Sequence, residues 1–224
     1  RVGFVVTVVE ARDSLGSETS FANGGQLSYR YVAPLADAGV PLQAIGWMLR
    51  GDSPLKLRPR FDLAQWRWMA SFLGACRHSV NRANAAHLLR LALLSQGTLK
   101  SWREDDGLAG FQWRRNGKLV TFRQNSSFEH ARQGLADPQQ QQVLSAAECA
   151  QLEPALIDAP FVGAIYTPDE EVGDCHGFCQ QLAARLQASG RCEFRLGQAV
   201  TGIRHGHGSV NAIELGEHLL PVEQ

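Results

Sequence analysis

The chain opens on an apolar run with no polar alternation, Val5-Val6-Thr7-Val8-Val9, closed by Glu10. Such a run predicts a parallel strand covered on both faces, because a strand dried on both sides has no solvent face to keep polar. The stretch from Ala11 to Gln26 is rich in Asp, Ser, Gly and Asn. It predicts a loop. Residues 29–34 read as an extended connection, and residues 40–49 as a short helix stopped by Gly51 and Pro54.

Helical periodicity then takes over. Leu63, Trp66, Met69, Ala70 and Leu73 recur at three-four spacing and predict an amphipathic helix that packs by that stripe. A second helix is predicted over residues 81–102 from Leu88, Leu89, Leu91, Ala92, Leu94 and Leu99, and the two are expected to form an antiparallel pair. Trp66 and Trp68, two apart, must face different directions, so at most one belongs to the stripe.

Residues 111–115 and 118–123 flank Asn116-Gly117, a pair suited to a type I′ turn, and predict a β-hairpin. Residues 127–135 read as a helix, and the run of glutamines from Gln139 as a polar connector. Ser145 with Glu148 three residues on predicts a capping box, for a helix that stops near Glu153-Pro154. A strand over 161–166 leads to Asp169-Glu170-Glu171, expected to be a solvated loop. Asp174 is placed as the cap of a helix reaching Ser189-Gly190. Strands are expected over 192–196, 199–203 and 210–215, with residues 205–208 as a hairpin tip.

These elements predict a mixed α/β fold. An incomplete Rossmann-like domain would be interrupted by a helical and hairpin insertion: residues 1–36 in the sheet domain, 37–166 mostly in the insertion, and 167–224 back in the sheet domain. No internal repeat or long linker is present.

Composition excludes more than it identifies. Lys plus Arg and Asp plus Glu are 22 each, so no whole-chain field points to nucleic acid. No apolar stretch reaches the length needed to span a bilayer and no signal pattern is seen, which makes a cytoplasmic location the expectation. Five scattered cysteines argue against a disulfide framework. Cys175 and Cys179 could share a helix face, but without a second ligand pair they read as buried thiols, and no residue is assigned to a metal. No nucleophile elbow, Walker loop or Cys/His nucleophile pattern occurs.

The candidate chemistry lies in the first 26 residues. A carboxylate at the carboxyl end of a parallel strand can accept from two vicinal hydroxyls, so a nucleotide ribose is the first partner to consider for Glu10. Such an acid normally follows a glycine-rich phosphate turn by about 20 residues. Glu10 stands too close to Arg1 for that turn, so the chain is expected to begin inside a domain. Gly24-Gly25 would let a backbone approach a ligand, and Thr19, Ser20 and Asn23 offer short polar side chains, although a plain turn uses the same residues.

The segment Glu18-Thr19-Ser20-Phe21-Ala22-Asn23-Gly24-Gly25-Gln26 after strand and acid resembles the bacterial D-amino acid dehydrogenases, of the flavin-dependent D-amino acid oxidase superfamily. VPLQAIGWMLRGDSPLKLRPR, GKLVTFR, LSAAECAQLEPAL and TPDEEVGDCHGF follow in the family's order. The resemblance implies an FAD enzyme that oxidises D-amino acids to 2-oxo acids and ammonia, with hydride passing to the flavin and electrons to a quinone-linked respiratory acceptor. It also implies a peripheral seat on the cytoplasmic face of the inner membrane.

By matching position, Glu10 would bind the adenosine ribose with Ala11 and Arg12 beside it. Thr19, Ser20, Asn23, Gly24, Gly25 and Gln26 would line the pyrophosphate and approach the flavin ring, and Val200, in the strand after the long helix, would meet the adenine through its backbone. The family's glycine turn, and the part that follows Gln224 in related enzymes, have no counterpart here, so no catalytic residue is assigned. Two alternatives stay open: a non-catalytic remnant or subunit that needs a partner chain, and a related glycine, sarcosine or proline oxidoreductase.

Overall fold

A computed structural model describes residues 4–41, 44, 60–206 and 208–222. Most of the helix expected over 40–49, and its stop at Gly51 and Pro54, lie outside the described residues. The chain divides into two compact units. Unit one comprises Arg1–Leu27, Ser101–Arg115 and Glu171–Gln224; unit two comprises Ser28–Lys100 and Asn116–Glu170.

In unit one, β1 (Val6–Val9) pairs in parallel with β7 (Cys192–Arg195), Val6 opposite Cys192 and Val9 opposite Arg195. Between them in sequence lies α5 (Cys175–Ala188), closed by Ser189 and by Gly190 at φ +68°. Asp174 holds the N-cap position of α5 as expected, but its side chain makes no capping hydrogen bond. The predicted burial of β1 is corrected. Val5 is 80% exposed and Val6 half exposed, because β7 is the one strand beside β1 among the described residues.

A second sheet of unit one runs β10-β9-β8, antiparallel: β8 (Gly202–Gly206), β9 (Ser209–Leu215) and β10 (His218–Pro221). The strand expected over 199–203 therefore begins three residues late. Val200 lies in the connection from β7 rather than in a strand. The two-residue β2 (Gln26–Leu27) pairs with β6 (Glu171–Val172), Gln26 opposite Val172. The core of this unit is aromatic: Phe111 is 2% exposed, and its ring meets Phe178 edge-on at 5.4 Å, which in turn stacks on Trp102 at 6.3 Å.

Unit two is built on β3-β5-β4, with β3 (Lys118–Phe122), β4 (Gln142–Ser145) and central β5 (Gly163–Thr167). The predicted hairpin does not form. Gly117 takes the expected positive φ of +72°, but Asn116 does not, and a type I′ turn needs both. Lys118–Phe122 joins β5 instead, Lys118 opposite Thr167. Arg114 exchanges both backbone hydrogen bonds with Val172 at 2.9 Å. Each arm thus pairs with chain about 50 residues away, because β5 offers β3 a buried, fully bonded edge that an isolated two-stranded ribbon lacks. The polar connector also proves wrong in part: Gln142–Ser145 is a strand and Gln141 is buried.

The helices begin within a few residues of their predicted positions. α1 (Leu63–Ala75) starts at Asp62, whose Oδ1 accepts from the Ala64 N–H at 2.8 Å. Its stripe does not pack, however. Leu63, Trp66 and Leu73 are all exposed, as is Trp68, which stacks on Phe72 at 5.3 Å. α2 (His78–Glu104) covers part of the predicted stripe: Leu89, Ala92 and Leu99 are half-buried, together with Asn81, Ala85 and Gln96, whereas Leu88, Leu91 and Leu94 are exposed. Polar anchors choose that face. Asn81 Nδ2 donates to Ala36 O at 2.7 Å and Gln96 Nε2 to Asp169 O at 3.1 Å. Neither helix has a fully buried residue, so the expected pair shares no dry interface.

α3 (Asn125–Gln133) and α4 (Ala146–Leu152) complete unit two. The capping box is present. Ser145 Oγ accepts from the Glu148 N–H, and Glu148 Oε2 accepts from the Ser145 N–H and hydroxyl at 2.7 Å each, which holds the Glu148 carboxyl below its usual range. Ser145→Ala is expected to lower stability by about 1 kcal/mol in urea unfolding. Cys149, on α4, is fully buried, and burial pushes its thiol up. Cys175 and Cys179 are only half-buried, not the buried thiols expected.

Candidate functional site

β1 and β7 are adjacent and parallel, so their carboxyl ends open on one edge of the sheet, where open α/β sheets bind ligands. Glu10 leaves β1 there and residues 196–201 leave β7. Backbone hydrogen bonds tie the two exits together: Glu10 N–H to Arg195 O at 2.9 Å, Gln198 N–H to Glu10 O at 3.0 Å, and Gly197 N–H to Arg12 O at 2.9 Å. Gly197 makes this close approach at φ +67°. Beside them is a cavity of about 480 Å³ whose wall includes Arg195, Gln198, Ala199, Thr201, Leu215 and His218.

Glu10 is half-buried, and its Oε1 accepts from the Arg12 N–H at 2.8 Å. Its Oε2 has no protein partner among the described residues. Arg12 pairs through Nε with the Glu18 carboxylate. Val200 is 48% exposed, and neither its N–H nor its C=O has a protein partner among the described residues.

The loop from Ala11 to Gln26 is secured to α5. His176 Nδ1 lies 3.0 Å from Gly16 O, and because a carbonyl only accepts, the ring proton belongs on Nδ1. Gln180 Nε2 donates to Leu15 O at 2.6 Å, and Phe21 meets His176 edge-on at 5.3 Å. The tip is less committed. The Thr19 and Ser20 hydroxyls have no protein partner among the described residues, and a side chain at Gly24 would meet nothing within 4 Å. Asn23 is partly used, since its Oδ1 accepts from the Gly25 N–H at 2.9 Å. Gln26 is exposed on β2.

Glu10 and Arg12 are thus bonded to Gln198 and Gly197, while the Thr19 and Ser20 hydroxyls form a separate stretch of open donors further along the same loop, next to Asn23, Gly24 and Gly25. His176 and Gln180, which hold the loop, are indistinguishable in sequence from ordinary helix residues.

The acidic triplet is not a solvated loop. Glu170 is 1% exposed and Glu171 is also buried, not solvated as expected. Glu170 accepts from the Tyr29 N–H at 2.9 Å through Oε1 and 2.8 Å through Oε2, and from the Arg30 N–H at 2.7 Å. Glu171 Oε2 accepts from Trp113 Nε1 at 2.9 Å, and the Arg103 guanidinium lies 3.1 Å from the Trp113 ring centre. Each carboxylate is buried with donors to satisfy it, as buried charges require.

Lys118 Nζ donates to Ser28 Oγ at 2.8 Å and sits 4.2 Å from the Tyr31 ring centre. Burial lowers the Lys118 ammonium below its ordinary 10.5, with the Glu170 carboxylate opposing the shift. The native state therefore holds this proton less tightly than the unfolded chain. The cost is complete below the lowered value and fades as pH rises toward 10.5. Stability of the wild type minus that of Lys118→Met, from urea unfolding, is expected to rise across that alkaline window.

Among the described residues no group of three His, Cys, Asp or Glu is arranged to hold a metal ion, and no helix is long and apolar enough to cross a membrane.

A parallel strand pair with an acid at its edge and a polar, glycine-bearing loop after it is the arrangement expected of half a dinucleotide-binding sheet. A profile of the FAD dependent oxidoreductase family matches residues 1–219, and the chain belongs to that family. It is 68% identical over 223 residues to D-amino acid dehydrogenase 2 of Pseudomonas aeruginosa, covering 100% of this chain and 54% of that protein. It is 40% identical over 226 residues to D-amino acid dehydrogenase 2 of Ralstonia nicotianae, covering 94% and 53%.

The chain therefore spans about half the length of the curated relatives it matches. Among solved structures, glycine oxidase from Geobacillus kaustophilus shares the fold at TM-score 0.55 and 16% identity, over 96% of this chain and 46% of that one. Iminodiacetate oxidase from Chelativorans sp. does so at TM-score 0.55, over 99% and 48%.

Proposed function

We propose that this chain is part of an FAD-dependent D-amino acid dehydrogenase, with unit one as the flavin-binding body and unit two as the substrate body. The observation that carries the cofactor site is the sheet edge where Glu10, with an oxygen to spare, is bonded to the loop that presents the open backbone of Val200. The substrate class rests on the 68% identical relative named a D-amino acid dehydrogenase.

In this reading Glu10 accepts from the ribose hydroxyls, with Ala11 and Arg12 beside it, and Val200 meets the adenine edge through its N–H and C=O. Thr19, Ser20 and Gly24 donate to pyrophosphate oxygens; Asn23 holds Gly25 in place, and Gly25 and Gln26 carry the backbone past the flavin. Bound FAD supplies the two-electron acceptor for the substrate α-carbon, while these residues bind and orient it. A respiratory quinone is taken as the final acceptor, reached by peripheral association with the membrane. Its support is the relatives' designation as dehydrogenases.

The test uses the polypeptide encoded by the complete gene. It is expected to purify yellow and to reduce an artificial electron acceptor with D-alanine. Glu10→Gln is expected to weaken FAD about tenfold to a hundredfold, the worth of a hydrogen bond to a charged group. A colourless protein inert to every D-amino acid, or one turning over L-amino acids or glycine instead, contradicts the reading.

A further inference from the structure

The flavin loop ends on a segment with almost no structure of its own. β2 is two residues long, and residues 28–31 after it belong to no helix or strand. Yet Tyr29 and Arg30 are buried. Their N–H groups must find acceptors, and both find the same one, the carboxylate of Glu170.

The grip continues residue by residue along one strip of chain: Leu27 opposite Glu171, Gln26 opposite Val172, and Gly173 N–H to Gly25 O at 2.8 Å. Lys118 adds a second hold on residues 28–31, through Ser28 Oγ and the Tyr31 ring. Lys118 is itself placed by β3, opposite Thr167 on β5, and Gly117 before it donates to Glu170 O at 3.0 Å.

We propose that Glu170 and Lys118 are positioning residues of the flavin site: by clamping residues 28–31 they set the path of Asn23, Gly24, Gly25 and Gln26 past the cofactor. This rests on the reading of that loop as flavin-binding. A buried glutamate is usually present to serve a partner, because an unpaired one is prohibitively costly. Here the partner is backbone, so the carboxylate acts on chain geometry rather than on a ligand. A glutamine offers one carbonyl oxygen and places an NH₂ against an N–H, so it cannot reproduce the contact. Lys118 secures the same segment by a hydrogen bond and a cation over an aromatic face, both of which methionine lacks. Neither residue touches the loop tip. Their effect on the cofactor must pass through the backbone from Ser28 to Gly25.

The experiment takes the complete polypeptide with Glu170→Gln and Lys118→Met, and measures the FAD dissociation constant, the visible circular dichroism of bound flavin, and the Tm of the FAD-free protein. Lys118 lies at the start of its strand and is only half-buried, so its replacement is expected to leave the fold intact. Lys118→Met is expected to raise the dissociation constant about fivefold and Glu170→Gln about tenfold or more. Flavin dichroism should be altered in both, with the FAD-free Tm of Lys118→Met within a few degrees of wild type.

Should Glu170→Gln fail to fold, Lys118→Met decides alone. An FAD affinity within about twofold of wild type in Lys118→Met, with unchanged dichroism, overturns the clamp. A wild type that binds no FAD overturns the clamp and the functional reading together. A wild type that binds FAD but ignores D-amino acids removes the substrate assignment only, and leaves the clamp to be judged on affinity.

Discussion

Phe111→Ala is expected to destabilise the protein by about 3 to 5 kcal/mol, the range for emptying a buried aromatic site that cannot collapse. The site is enclosed on several sides. The ring meets Phe178 edge-on, and a side chain on Gly173 would come within 2.9 Å of its Cδ2. The bare glycine is what admits the ring. Nor can the backbone slide in to fill the hole: Phe111 O accepts from the Asp174 N–H at 2.7 Å, and the residue is flanked by Gly110 at φ +92° and Gln112 at φ 53°. These are conformations with little freedom. Urea unfolding of the variant should show a lower midpoint with little change in slope, the mark of lost stability rather than altered compactness. A loss under about 1 kcal/mol would mean that the aromatic cluster is not the core of its unit.

Gly25→Ala is expected to damage both stability and cofactor binding. Gly25 sits at φ +60°, where an L-residue with a Cβ costs about 1 to 2 kcal/mol. The added Cβ would also lie 2.6 Å from Gly173 O. Backbone on both sides must move, because Gly173 is itself held by the hydrogen bond from its N–H to Gly25 O. The displaced segment carries Gly24 and the Asn23 contact, so FAD affinity should fall about tenfold or more, measured by flavin fluorescence titration. Gly24→Ala is the internal control. A Cβ there meets no protein atom within 4 Å, so any loss of affinity it causes with stability preserved reports on the space the ligand occupies.

Much of the secondary structure was legible because its signals are local. Ser145 and Gly190 mark helix ends by satisfying orphan backbone groups within a few residues, and those boundaries agree with the structure. The apolar run ending on Glu10 is a strand, and the later strand from Cys192 returns beside it in parallel. The hairpin at Asn116-Gly117 failed for the complementary reason. Turn chemistry states only that the chain can reverse there, not which strand will pair with each arm, and here β5 and Val172 compete better than the arms do for one another.

Periodicity likewise shows that α1 and α2 are amphipathic but not what covers them. The face of α2 that is half-buried was selected by Asn81 and Gln96, which reach acceptors 45 and 73 residues away in sequence.

The sequence by itself determined the candidate cofactor-binding residues, since an acid closing a Val-rich strand and a glycine-bearing polar loop are contiguous, and their chemistry is written in neighbouring letters. It determined the family for the same reason. Tertiary structure alone decided which acids are buried and what satisfies them. Three carboxylates in a row look like a solvated loop until Glu170 is found beneath the N–H groups of residues 140 and 141 positions earlier, and Glu171 beneath the indole of Trp113. A buried charge is defined by the donors that surround it, and these come from parts of the chain that meet only when it folds.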